Sequence, residues 1–224
     1  MAPARGDRYA PDVAVKSYAV TPPKLIGNTP CVDFINTVGW RGRPHASDER
    51  LTEYAELVHW SEHVGSLGPS TARALLAESR RRPADAAAAL ASAIELREAL
   101  ARLLSTDARR RPPDLALLND LLARAPARTA IVARAGDYRW HGDEDGEPLE
   151  APLWPIAWDA AALLTSERRA WVRGCGDPEC GWMFLDLSRN QTRVWCSMED
   201  CGNRAKARRH YARQARAARP SRRA

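Results

Sequence analysis

"CGDPECGWMFLDLSRNQTRVWCSMEDCGNRAKARRHYARQARAAR", residues 175–219, holds four of the chain's five cysteines in two equally spaced pairs and ends in an arginine-rich run. Cys175 and Cys180 make one C-x4-C, Cys196 and Cys201 a second, and fifteen residues lie between them. A tetrahedral ion asks for this pattern, because each pair offers two sulfurs from one tight turn and the loop brings the second pair round. Gly176, Asp177 and Pro178 in the first turn, and Ser197 and Asp200 in the second, are residues that tight turns favour. One zinc ion per chain is the expectation. Two local disulfides, a redox dithiol and an iron–sulfur cluster are the alternatives. Disulfides are uncommon in a reducing compartment, the x4 spacing is not the C-x-x-C of thioredoxin-like proteins, and four-cysteine clusters use other spacings. Four thiolates leave no position open for water, so such a zinc stabilises the fold and does not catalyse.

Between the pairs, Trp182–Leu187 and Arg193–Trp195 read as two short strands joined by the turn-forming "SRNQ". After Cys201, "GNRAKARRHYARQARAAR" reads as a helix with Pro220 beyond it. The expected order is knuckle, hairpin, knuckle, helix, with Phe184 and Trp195 packing around the metal.

Charge is distributed unevenly. Residues 166–224 carry 14 Lys and Arg against 6 Asp and Glu, a balance of +8, and the rest of the chain carries 20 against 22, which gives the total of +6. From Gly202 onward there are nine Lys or Arg and no acid. Such asymmetry points to a nucleic-acid or anionic-surface partner for the basic part. On a helix Lys206, Arg209, Arg213 and Arg216 share one stripe, and Arg204, Arg208 and Arg219 another. Double-stranded DNA is the expected partner, contacted first by Lys206, Arg208, Arg209 and Arg213, then by Arg204 and Asn203, with His210 and Tyr211 alongside. Asn203 and Arg204 have an equally good structural role: Asn203 capping the helix or bonding a cysteine sulfur, Arg204 holding Asp186. The rival classes are a zinc-shaped protein-interaction or RNA-binding adaptor, and a merely solubilising tail.

Upstream, 224 residues with 45% apolar content and eight tryptophans provide for a substantial core. No apolar run approaches the roughly 18–20 residues of a membrane span, and the N-terminal stretch lacks the apolar centre of a signal peptide, so no membrane partner and a cytoplasmic location are expected. Residues 1–23 read as a flexible arm. "SDERLTEYAELVHWSEHVG" (47–65) predicts a helix capped by Ser47 or Asp48 and ended by Gly65. Helices are also predicted over 69–81, over 84–105 with Ala93, Leu96, Leu100 and Leu103 on one face, and over 113–125 with Asp114 as cap. "TAIVARAGDYRWH" (129–141) reads as a hairpin, and a helix from Pro155 continues with a break near Thr165. Cys31 reads as a buried residue, the Trp154/Trp158 pair as core or interdomain contacts, and the five histidines as surface or packing groups. Asp33 and Asn36, one helical turn apart and near Trp40, are the candidate pocket for a small-molecule effector. No Walker loop, G-x-S-x-G, H-E-x-x-H or dinucleotide fingerprint is present, so the chain is not read as an enzyme.

"CSMEDCGNRAKARRHYAR", preceded by "CGDPECGWMFLDLSRNQTRVW" with its F-x-D-x-S-R-N, resembles the CGNR zinc-finger family, whose name is the tetrapeptide Cys201-Gly202-Asn203-Arg204. "CVDFINTVGWR" and "LTEYAELVHW" are similar to the ABATE domain that accompanies this finger and is associated with stress-induced transcription regulation. The resemblance implies a bacterial-type regulator that binds DNA through the finger. The expected fold is α+β and predominantly α: a helical regulatory domain over 24–165, for sensing or homodimerisation, a zinc module over 166–219 and a short tail over 220–224.

Overall fold

The computed structural model describes residues 17–41, 48–105, 112–125, 131–134, 137–140 and 148–217. Helix α1 (Pro30–Ile35) is only six residues long, yet it sits at the centre of the molecule with Cys31, Val32, Phe34 and Ile35 fully buried. Thr29, at its N-cap position, makes no side-chain cap; Asp159 accepts bonds from the Thr29 hydroxyl and from the Cys31 N–H instead. The strands β1 (Val38–Gly39) and β2 (Asp48–Glu49) pair antiparallel, Val38 opposite Glu49.

Around α1 stand α2 (Tyr54–His63), α3 (Pro69–Arg81), α4 (Pro83–Leu104), α5 (Pro112–Arg124) and α6 (Leu153–Leu164). The long α4, about 33 Å at 1.5 Å per residue, lays Ala86, Ala89, Ala93, Leu96, Leu100 and Leu103 against the core at three- and four-residue spacing. Its alanines let α1 and α2 pack closely. The strands β3 (Ile131–Arg134) and β4 (Asp137–Trp140) pair antiparallel, Ile131 opposite Trp140, as the hairpin reading of this stretch expects.

Several expectations are corrected. The predicted helix at 47–65 begins at Tyr54, with Glu53 as N-cap, because Asp48 and Glu49 are drawn into β2. The cause is tertiary: both carboxylate oxygens of Glu49 accept from Arg97 at 2.7 and 2.6 Å, and that arginine is buried on α4. Gly65 does end the helix, at φ +77. Asp114 lies inside the first turn of α5 and accepts from Arg102 at 2.6 Å. The last helix of this region starts at Leu153 and stops at Leu164, and a 3-10 turn over Glu167–Trp171 follows the break near Thr165. Within the expected arm, Tyr18 is buried and donates its N–H to Glu56. Residues 1–16, Ser47, His45, His141, Arg219 and the tail 220–224 lie outside the described residues.

Strand β5 (Val172–Gly174) then pairs with β6 (Met183–Leu185), Val172 opposite Leu185. This corrects the expected pairing of 182–187 with 193–195: the partner strand lies before the first cysteine pair, not before the second. Side chains alternate across a strand, and β6 uses both faces. Met183 and Leu185 join the main core with Val172, whereas Phe184 joins a second cluster with Cys180, Cys196 and Cys201. Asn36 completes the edge of β6 by donating to Met183 O at 2.8 Å and accepting from Met183 N at 2.9 Å. The expected boundary near residue 165 therefore runs through a shared core.

Candidate zinc centre and nucleic-acid interface

The β5–β6 connection is the first knuckle. Its geometry is set by backbone bonds: Cys175 N donates to Trp182 O at 2.8 Å and Cys180 N to Asp177 O at 3.0 Å. Gly181, at φ +69, has its Cα so close to the backbone of Arg41 that a Cβ would fall 2.5 Å from an Arg41 atom, and Trp40 N donates to Cys180 O next to it. The second knuckle is a π-helical turn, Met198–Gly202, whose start is capped by Ser197 accepting from Asp200 N. Helix α7 (Asn203–Ala217) leaves directly from it.

The four sulfurs lie within 4.8 Å of one another. Cys180 and Cys196 are 3.7 Å apart and Cys196 and Cys201 3.5 Å, too far for disulfides. A tetrahedron with Zn–S bonds of about 2.3 Å has edges of about 3.8 Å, so the spacing fits one zinc ion with all four positions taken. Packed this closely, the sulfurs do not ionise independently. Cys180 is pushed up to about 12, first by its hydrogen bond to Cys175, and Cys196 is raised for the same reason. Cys175 is lowered by the bonds it receives from Cys180 and Cys196. A dication stabilises the four-thiolate state. Two donors offset part of its charge: Cys196 N points at Cys175 Sγ at 3.4 Å and Arg204 Nη2 at Cys201 Sγ at 2.9 Å.

Arg204 thus bonds a sulfur, a role the sequence suggests for Asn203; Asn203 donates back to Glu199 O at 2.8 Å. Arg204 does not hold Asp186. Its Nε donates to Asp177 Oδ2 at 3.1 Å, Arg208 reaches Asp177 Oδ1 at 3.1 Å, and the guanidinium of Arg204 lies 4.8 Å from the centre of the Trp40 ring. Burial alone would raise the Asp177 carboxyl, but the Glu179 N–H and the two arginines bring it below its ordinary value. Asp186 instead accepts from Ser188 and from Arg193 N, shaping the "SRNQ" loop, while Arg193 stacks over Phe184 at 4.3 Å. Phe184 and Trp195 pack around the cysteines as expected.

Beyond Ala205, helix α7 is exposed at every residue from Lys206 to Ala215. Lys206, Arg209 and Arg213 have no acidic partner among the described residues, Arg208 shares Asp177, and Tyr211 stands beside His210 with 68% of its surface exposed. The candidate pocket residues separate. Asp33 accepts from Ile26 N and Gly27 N and Asn36 is tied to Met183, so both sit within the protein framework; Trp40 lines a cleft beside the cysteines. Sequence reasoning misses Asp177 as a functional residue, since its turn position accounts for it completely. Arg50, buried on the same cleft, has no signal in the sequence.

Comparison with protein families bears on this site. Residues 171–214 match the CGNR zinc finger, and residues 28–167 match ABATE, described as "putative stress-induced transcription regulator". No curated protein matches the chain. Among the described residues no helix is long and apolar enough to cross a membrane. The chain belongs to the ABATE family and carries a C-terminal four-cysteine CGNR zinc finger.

Proposed function

We propose that the protein is a cytoplasmic transcriptional regulator without catalytic activity, which binds duplex DNA through α7 while zinc fixes where that helix starts. The observation that carries this reading is the helix itself. Lys206, Arg208, Arg209 and Arg213 project from a stretch exposed throughout, with no acid among its residues and no apolar face to bury. A helix polar all round gains little from packing on its own protein. Its alanines allow a close approach to a groove, where arginine and lysine reach phosphates and guanine edges. Arg204 and Asn203, engaged at the knuckle, orient the helix more than they contact the nucleic acid. The N-terminal part senses a ligand or dimerises.

The test is a titration of the zinc-loaded chain with duplex DNA over a range of salt. Affinity falls steeply with salt, and replacing Lys206, Arg209 and Arg213 together by Gln reduces the salt slope by about 3, roughly one for each phosphate no longer neutralised. Equal affinity for single and double strands, with no site enriched by selection, would instead identify an RNA-binding or protein-interaction adaptor.

A further inference from the structure

We propose that the cleft between the zinc cluster and the β1 edge binds a small organic monocarboxylate with a flat apolar body. This deepens the ligand-sensing part of the proposed function and rests on it only for its biological purpose. The cleft measures about 400 Å³, inside the usual range of roughly 300–1,000 Å³ for small-molecule sites. Cys180, Cys196 and Cys201 form one end, so a zinc ion takes up only that end. Two indoles, Trp40 and Trp182, and the apolar Ile26 line it as well. Trp40 is held at φ +57, in the left-handed region that bulky side chains avoid. Strain of that kind survives where the surroundings over-determine it, and it collects at ligand clamps.

Charge selects the ligand. The Arg50 side chain is only 7% exposed, and its Nη2 meets Asp48 at 3.2 Å. Its Nε is buried with no acceptor among the described residues. A guanidinium carries five N–H donors; the Tyr18 side chain bonds this one as well, and its carbon lies 5.5 Å from the centre of the Trp182 ring, so the buried donor left for a ligand is Nε. Arg204 lines the same cleft with its Nε and Nη2 given to Asp177 and Cys201, so it adds positive charge while Arg50 is the donor that meets the carboxylate. Asp48, Glu199 and Asp200 also line it, and a zinc ion with four thiolates leaves two negative charges at its end. Those charges disfavour phosphate and other multiply charged anions, while the buried Arg50 Nε without an acceptor disfavours a cation. Arg204 lies over Trp40 and Arg50 over Trp182, and the indole surface that still lines the cleft is where a flat ligand body would lie.

Calorimetry on the full-length, zinc-loaded protein with 2-naphthoate, 2-naphthylmethylammonium and inorganic phosphate decides the matter. The expected result is one naphthoate per chain, no uptake of the other two probes, and one zinc per chain before and after. Trp40→Leu and Arg50→Lys each weaken naphthoate binding at least tenfold while keeping the parent's zinc content and helical circular dichroism; Leu115→Ala, on α5, leaves it unchanged. The proposal is overturned if the zinc-loaded parent takes up no naphthoate at millimolar concentration, prefers either other probe, or gives up its zinc to naphthoate. Undiminished binding by folded Trp40→Leu overturns it too, which keeps the test open should Arg50→Lys fail to fold. The DNA titration is a separate measurement, so failure of the site and failure of the DNA reading are told apart.

Discussion

At Asp177 one carboxylate, 1% exposed, joins the first knuckle to the first two turns of α7 through Arg204 and Arg208. Asp177→Asn keeps the shape and removes the charge. Both arginine side chains are partly exposed, so the expected loss is modest, about 1–2 kcal/mol, read as a lower melting temperature with zinc content still one per chain. Arg97 is the opposite case. It is buried, and it serves both Glu49 and Glu98 as well as Thr37. Arg97→Met leaves Glu49 and Glu98, each about a third exposed, without their buried partner, and chemical denaturation should show a loss of about 1–3 kcal/mol, that of charge-assisted hydrogen bonds whose acceptors keep some access to water. Neither role is visible in the sequence, where Asp177 is one turn residue among several and Arg97 lies on a helix with no sign that it faces inward. Partners 27 to 48 residues apart leave no local trace. The cysteine ligand spacing does leave one, because each pair is a contiguous motif.

Among the elements, what decides legibility is whether the cause is local. Helices α3 and α4 agree with the prediction to within a residue at each end, since their apolar spacing and flanking prolines act within a few turns. The start of α2 does not, because the Arg97–Glu49 pair takes the residues that propensity would have given to the helix. Strand β6 is legible as a strand, but its partner is not. Its sequence, "MFL", shows no alternation of polarity, as befits a strand buried on both faces. Phe184 is the fully buried aromatic of the zinc-side cluster, between Arg193 and the cysteines. Phe184→Ala should therefore cost about 3–5 kcal/mol and also weaken zinc retention, measured by competition with a chromophoric chelator, whereas a comparable cavity in α4, Leu100→Ala, should lower stability and leave zinc affinity unchanged.

For the whole molecule, the two clusters are coupled through three residues of strand. Calorimetry of the zinc-loaded protein should show one unfolding transition, not a separate one for the finger. Chelation should broaden that transition and lower its temperature, because losing the metal frees the knuckle that holds β6 against α1. Acid should act in the same direction: protons compete with zinc for the thiolates, so metal is released as pH falls, followed by elemental analysis after dialysis at stepped pH.

The strand that lends Met183 and Leu185 to one core and Phe184 to the other makes the finger a fixed handle instead of an interchangeable cassette. Transplanted onto a foreign carrier, residues 171–217 would bring two bare apolar side chains and an unpaired strand edge, an invitation to aggregate. In its own chain the same graft gives α7 a set direction relative to the helical body. Under the proposed docking of α7 on duplex DNA, that direction would set how the helical body stands off the groove, and repositioning the body would turn it about the duplex without touching a single arginine.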